Sequence, residues 1–204
     1  MNNVDLKVQA LEAFIDRKER LKKSTPLQYL FWESTLRCNL SCLHCGSDCV
    51  RNDAATSQEI SADLIKQELG SIAQHYVPQN CTFAIIGGEP LVREEIIDIG
   101  AFAAGLGYNW GITTNGMLLS RNVIKRLKEA HLKTISVSLD GIEADHEKLR
   151  HCKGSYQIVT SAIRNFLQDR FFEKFDVICC ISKINIDHLE IFMEEVVKLG
   201  IPAV

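Results

Sequence analysis

At 204 residues, 46% hydrophobic and 24% charged, the chain has the length and apolar content of one globular domain with a buried core, and nothing in that composition suggests disorder. Its net charge of −3 comes from Lys and Arg interspersed with Asp and Glu, so no basic stripe marks a nucleic-acid surface. The opening MNNVDLKVQALEAF has neither the basic start nor the apolar run of a secretory signal, and no stretch reaches membrane-spanning length. A cytoplasmic protein is expected, with no membrane and no nucleic acid as partner.

In chain order, Val4, Val8, Leu11, Phe14 and Ile15 fall at helical spacing, and Pro26 ends the segment, so residues 1–25 read as an N-terminal helical segment. A β-rich stretch, Tyr29 to Leu36, runs into three cysteines, and a polar loop from Gly46 to Gln58 precedes a helix that Ser61 can cap. Strand Thr82 to Ile86 leads to a helix from about Glu94 to Leu106. Strand Gly111 to Thr114 leads to a helix over Val123, Ile124, Leu127 and Ala130 with Ser120 as its cap. Strand Thr134 to Leu139 precedes a helical region from Ser155, with Ile158, Ala162, Ile163 and Phe166 as its inner face. Val177 to Ser182 reads as a fifth strand, and Asp187 and Glu190 open a last helix that Gly200 closes. Strands alternating with helices imply parallel pairing by right-handed crossovers, hence a doubly wound sheet or a barrel, with ligands at the C-terminal ends of the strands. Ile201-Pro202-Ala203-Val204 reads as the start of a sixth strand, so the core over residues 26–204 is expected to be incomplete at its C-terminus.

Eight cysteines in a reducing compartment argue for metal or reactivity over disulfides. Cys38, Cys42 and Cys45 stand at C-x3-C-x2-C spacing directly after a strand, and three such thiolates can each hold one iron of a cubane cluster, leaving the fourth iron open. The other five, Cys49, Cys81, Cys152, Cys179 and Cys180, read as structural, with Cys179 and Cys180 adjacent on a strand. A zinc site is the competing reading of the same three thiols, completed by His44 or Cys49. Gly87 and Gly88 let a backbone approach a ligand, or simply make a strand-to-helix turn. Thr114, Asn115, Ser138 and Asp140 offer short polar groups at strand ends, or make turns and caps of their own.

Taken together, CNLSCLHC, GGEPLVR (87–93), TTNG (113–116) and SVSLDG (136–141), followed by HEKLR ending at Arg150, resemble the radical S-adenosylmethionine (SAM) enzyme family. The resemblance runs from about residue 28 to residue 204. It implies a partial parallel (β/α) barrel of radical SAM type, an α/β fold truncated near its sixth strand and preceded by an N-terminal helix. It also implies a [4Fe–4S] cluster on Cys38, Cys42 and Cys45, with SAM bound to the open iron through its amino and carboxylate groups. One electron from the reduced cluster then breaks a carbon–sulfur bond, and the 5′-deoxyadenosyl radical abstracts hydrogen from a substrate. Cofactor contacts are implied for Gly87, Gly88, Glu89 and Pro90 against the methionine ammonium, and for Thr114, Asn115, Ser138 and Asp140 in the pocket. His44 is implied against the adenine, and Arg150 against the methionine carboxylate. No residue is assigned as a substrate base or radical relay.

Within that family the GGEPLVR tail, the SLDG end and HEKLR look most like the branch that modifies peptides or proteins, or matures cofactors from peptides. Enzymes of that branch continue into a C-terminal extension, often called SPASM or twitch, that holds auxiliary clusters. The expected partners are a peptide or protein substrate and an external one-electron reductant of flavodoxin or ferredoxin type. The alternatives are the same chemistry on a small cofactor precursor, or a non-enzymatic iron–sulfur or zinc-binding module.

Overall fold

A computed structural model describes residues 3–24, 26–47, 49, 59–169 and 171–201. The first helix, α1 (Asn3–Ser24), stops ahead of Pro26, as the spacing implies. Every side chain described in it between residues 5 and 21 is exposed, Leu11, Phe14 and Ile15 included, so the apolar spacing supplies no buried face.

Five strands follow: β1 (Tyr29–Glu33), β2 (Thr82–Ile86), β3 (Asn109–Thr114), β4 (Thr134–Ser138) and β5 (Lys174–Ile178). They pair in parallel in chain order, β1-β2-β3-β4-β5. The helices between them are α2 (Ala62–Ala73), α3 (Ile96–Gly105), α4 (Arg121–Glu129), then α5 (Glu143–Arg150) and α6 (Ser155–Asp169), with α7 (Leu189–Lys198) after β5. This order decides between the two architectures left open by the sequence. Right-handed crossovers that always step the same way put every helix on one face, as in a barrel wall, whereas a doubly wound sheet reverses its strand order. The result is a partial parallel barrel. Residues 202–204, within the expected start of a sixth strand, lie outside the described residues.

The period of two in each strand sorts side chains to the two faces. Phe83, Ile85, Trp110, Ile112, Ile135 and Val137 point to the helices and join Leu69, Ile99, Leu127 and Phe166 in one core. The other face is built of small or polar residues, among them Ala84, Gly111, Thr113, Ser136 and Ser138. Trp110 fits because α3 presents Gly100 to its ring: a Cβ there would stand 2.5 Å from ring carbons. Its indole N–H donates to the Ala130 carbonyl at 2.8 Å, so burial leaves no polar atom unpaired.

Several boundaries move. β1 ends at Glu33, not Leu36, although the Ser34 N–H still donates to the Ile86 carbonyl at 2.8 Å. β3 starts earlier, at Asn109, and β4 ends at Ser138. β5 lies three residues upstream of its expected start, so Cys179 and Cys180 follow the strand instead of sitting in it. Lys174 and Asp176, which hid it, pair at 3.5 Å on an edge strand, where exposed charge is tolerated. In α6 the buried stripe is Val159, Ala162, Ile163 and Phe166, while Ile158 is exposed. The short helix α5 carries HEKLR and was not anticipated as a helix. The caps stand as read: Ser61 accepts from the Leu64 N–H and Ser120 from the Val123 N–H, each at 3.3 Å. Most of the loop expected between Gly46 and Gln58 falls outside the described residues.

Candidate functional site

The approach to the cysteines is laced to the turn after β2. The Gly88 N–H donates to the Thr35 carbonyl at 2.7 Å and the Glu89 N–H to the Arg37 carbonyl at 2.9 Å. This closeness requires glycine. Gly87 has φ +143°, and a Cβ on Gly88 would overlap the Arg37 carbonyl. The two glycines therefore bring GGEP against the cysteine-bearing segment, as well as bordering the cavity below. Arg93, the last residue of GGEPLVR, is a strut that the sequence reading missed. Buried under the Trp32 ring, it donates from Nη1 to the Ser34 carbonyl at 2.9 Å and from Nη2 to the Ile60 carbonyl at 2.7 Å. Glu59 joins this brace by pairing with Arg37 Nε at 2.8 Å and accepting from the Thr35 hydroxyl.

Cys38, Cys42 and Cys45 border one cavity of about 470 Å³ with the ends of β2, β3 and β4. Donors aim at two of the sulfurs. Cys38 Sγ receives the Leu40 N–H at 3.5 Å and Asn115 Nδ2 at 3.9 Å, and Cys42 Sγ receives Arg150 Nη1 at 3.6 Å. Cys45 Sγ instead donates to the Ser47 carbonyl at 2.9 Å. Burial pushes Cys38 and Cys42 up, and Arg150 pulls Cys42 back toward the thiolate. Burial, with help from the Cys45 thiol, pushes Cys49 up to about 12. Three thiols, two of them with N–H donors behind them, fit a cluster that needs thiolates. Among the described residues no three His, Cys, Asp or Glu side chains close on a single ion. A cubane asks for that wider spacing, because each thiolate binds a different iron.

Glu89 is placed differently from the expectation of a cofactor contact. It is fully buried and does not border the cavity, and neither does Pro90. One carboxylate oxygen accepts from the Thr114 hydroxyl at 2.8 Å and the Leu91 N–H at 3.1 Å, and the other from the Asn115 N–H at 2.7 Å. Glu89 thus ties the turn after β2 to the end of β3 and sets Thr114 and Asn115, which do border the cavity. Asn115 also reaches Asn39 Oδ1 at 2.7 Å, across the cysteine loop.

At the end of β4, Asp140 is a hub. Its Oδ2 lies 2.7 Å from Arg150 Nε and 3.4 Å from His44 Nε2, but makes no hydrogen bond. Its Oδ1 accepts from the Cys180 N–H at 2.9 Å. Its backbone is fixed as well: the N–H donates to His146 Nδ1 at 3.1 Å, and the carbonyl accepts from Asn185 Nδ2 at 2.8 Å. Arg150, expected on a methionine carboxylate, is thus already held between Asp140 and Cys42. Ser138, His44, Gly87 and Gly88 border the same cavity, so apart from Glu89 and Pro90 the expected residues converge there. Asn185 and His146, both buried, were missed. α5, EADHEKLR, is polar along its length, so its pattern did not mark His146 as buried.

His146 gives the site a pH signature. Burial, with help from Arg150, lowers its pKa from 6.5 to about 4, so the neutral ring can accept the Asp140 N–H. A depressed folded pKa means that stability is full above pH 6.5 and is lost as pH falls toward 4. The loss is expected to reach about 3 kcal/mol at most. Urea midpoints across that range should fall more steeply in the native chain than in His146→Asn, whose amide oxygen can accept the same N–H without titrating. Equal slopes would remove His146 from the account.

Cysteine thiols at the strand ends of a one-sided parallel wall define a class of iron–sulfur enzyme domains. Residues 32–196 match the Radical SAM superfamily, and the chain belongs to it, a family of enzymes that use a [4Fe–4S] cluster and SAM. Among curated proteins it is 34% identical over 134 residues to an Fe-coproporphyrin III synthase of Methanosarcina barkeri, covering 66% of this chain and 32% of that protein. It is 28% identical to the mycofactocin maturase MftC of Mycolicibacterium smegmatis, covering 84% of this chain and 42% of that one. Among solved structures, anSMEcpe with bound AdoMet superposes at a TM-score of 0.72 and 19% identity, over 86% of this chain and 49% of that chain. Streptococcus suis SuiB bound to its precursor peptide SuiA gives 0.68 and 20%, over 98% and 44%. The chain spans less than half the length of these proteins. Among the described residues no helix is long and apolar enough to cross a membrane.

Proposed function

We propose that residues 26–204 form a radical SAM core in which Cys38, Cys42 and Cys45 hold the [4Fe–4S] cluster, with residues 1–25 as a separate helical segment. The observation that carries this reading is the convergence of three thiols with Gly87, Gly88, Thr114, Asn115, Ser138 and Asp140 on one cavity. When bound and reduced by an external flavodoxin- or ferredoxin-type donor, the cluster supplies the electron that cleaves SAM to a 5′-deoxyadenosyl radical. The chain's own residues bind, orient and exclude water. Carbonyls at Gly87 and Gly88 accept from the methionine ammonium, Ser138 and Thr114 fix the polar groups nearby, and Arg150, braced by Asp140, keeps positive charge beside Cys42 and the carboxylate. His44, paired to Asp140, closes the adenine side. Walls on several sides limit water near a reactive intermediate.

The substrate favoured here is a peptide or protein. A relative named as a mycofactocin maturase and the likeness to SuiB, solved with a precursor peptide, support it. The Fe-coproporphyrin III synthase relative supports a second reading, a small cofactor precursor. Adding SAM to the reduced, cluster-loaded protein should change its electron paramagnetic resonance spectrum. Ser138→Ala and Arg150→Ala should each need roughly ten-fold more SAM for half the change, the loss of contacts worth about 1 to 3 kcal/mol. Unchanged titrations in both variants would make these positions structural. Faster 5′-deoxyadenosine release with peptides than with coproporphyrin decides for the first substrate reading, and the reverse decides for the second.

A further inference from the structure

Three thiolates serve three irons of a cubane and leave the fourth to any donor in reach. A fourth thiol borders the same cavity. Cys49 follows Cys45 by the same three-residue interval that separates Cys38 from Cys42. The Cys49 N–H donates to the Ser47 carbonyl at 2.7 Å, and Cys45 Sγ donates to that same carbonyl at 2.9 Å. Both residues are thereby pinned to one oxygen, and the Cys49 thiol lies against that of Cys45. Cys180, a fifth thiol at the cavity, follows β5 and lies outside this loop. His44 Nε2 faces Asp140 at 3.4 Å, and Asp140 is held by Arg150 and by the Cys180 N–H.

We infer that Cys49 is an exchangeable fourth ligand of the cluster, bound to the open iron when SAM is absent and displaced when SAM binds. This rests on the reading of Cys38, Cys42 and Cys45 as the permanent ligands. The exchange balances without electron transfer. The thiol gives its proton to solvent as the iron–sulfur bond forms, and the released thiolate is reprotonated when the amino and carboxylate groups of SAM take its place. Its use is protective, because an iron with only solvent on its outer side is the one a cubane loses on oxidation.

The test uses anaerobically reconstituted protein and Mössbauer spectra of iron-57. Without SAM, the native chain should show only sulfur-ligated irons, whereas Cys49→Ala should show one distinct iron with the higher isomer shift of nitrogen or oxygen ligation. SAM should produce that distinct iron in both. On brief exposure to air without SAM, Cys49→Ala should form the three-iron cluster roughly ten-fold faster than the native chain, and SAM should remove the difference. A distinct iron in the SAM-free native chain, or equal oxidation rates, would overturn the inference while leaving the three permanent ligands in place. A Cys49→Ala protein that cannot hold a cluster would also overturn it, since Cys49 would then be permanent. Failure of the native chain to take up any cluster would overturn the underlying reading and this inference together.

Discussion

Replacing any one of Cys38, Cys42 or Cys45 by Ala is expected to lower iron uptake from about four atoms per chain to below about one, with matching loss of sulfide. The effect is large because ligation is the only attachment a cluster has: a missing thiolate leaves a second iron without a permanent ligand, and the core dissociates. Cys42→Ala should be the most severe. It also strips Arg150 Nη1 of the sulfur 3.6 Å away, leaving a half-buried cation with Asp140 alone beside the cavity. Cys152→Ala is the control, since that thiol sits at the turn between α5 and α6, donates to the Lys153 carbonyl at 3.9 Å and does not border the cavity. Iron and sulfide assays on anaerobically reconstituted proteins measure both. Full occupancy in Cys42→Ala, or stoichiometric zinc with no iron in the native chain, would end the cluster assignment.

What could be read from the sequence was local. The bounds of β2 follow from an apolar run with turn residues on either side, and the caps of α2 and α4 follow from a serine ahead of a periodic segment. The motifs were legible for the same reason, since each is a strand end with its turn. The edge strand β5 was misplaced because Lys174 and Asp176 interrupt its alternation, while the apolar run just beyond it imitates a strand. α5 was hidden by its polarity, although Asp145, His146 and Leu149 on it are buried. The site itself depends on pairs far apart in the chain. Asn185 reaches Asp140 across 45 residues, Arg93 reaches Ser34 across 59, and Arg150 reaches Cys42 across 108. Spacing rules do not span such separations, so the motif residues that border the cavity were found, Cys49 and Cys180 beside them were read as structural, and most of the residues that hold the site were missed.

Glu89 shows what that second group contributes. Glu89→Ala should destabilise the chain by roughly 3 to 5 kcal/mol, since it leaves the Leu91 N–H, the Asn115 N–H and the Thr114 hydroxyl facing a buried void. Glu89→Gln is the sharper probe. The amide has nearly the same shape, but its NH2 replaces one of two acceptor oxygens, and each of those oxygens faces a backbone N–H. Donor would then meet donor, at a cost of about 1 to 3 kcal/mol. Urea unfolding of both variants measures this directly. The damage should also reach the cavity that Glu89 does not touch, because its carboxylate sets where Thr114 and Asn115 stand at the end of β3. Half-saturation of the spectral change with SAM is therefore expected to need roughly ten-fold more SAM in Glu89→Gln, at unchanged iron content. Lost stability with unchanged SAM titration would make Glu89 a fold residue alone. Unchanged stability with weakened SAM binding would return it to direct contact with the cofactor, where the resemblance to the family first put it.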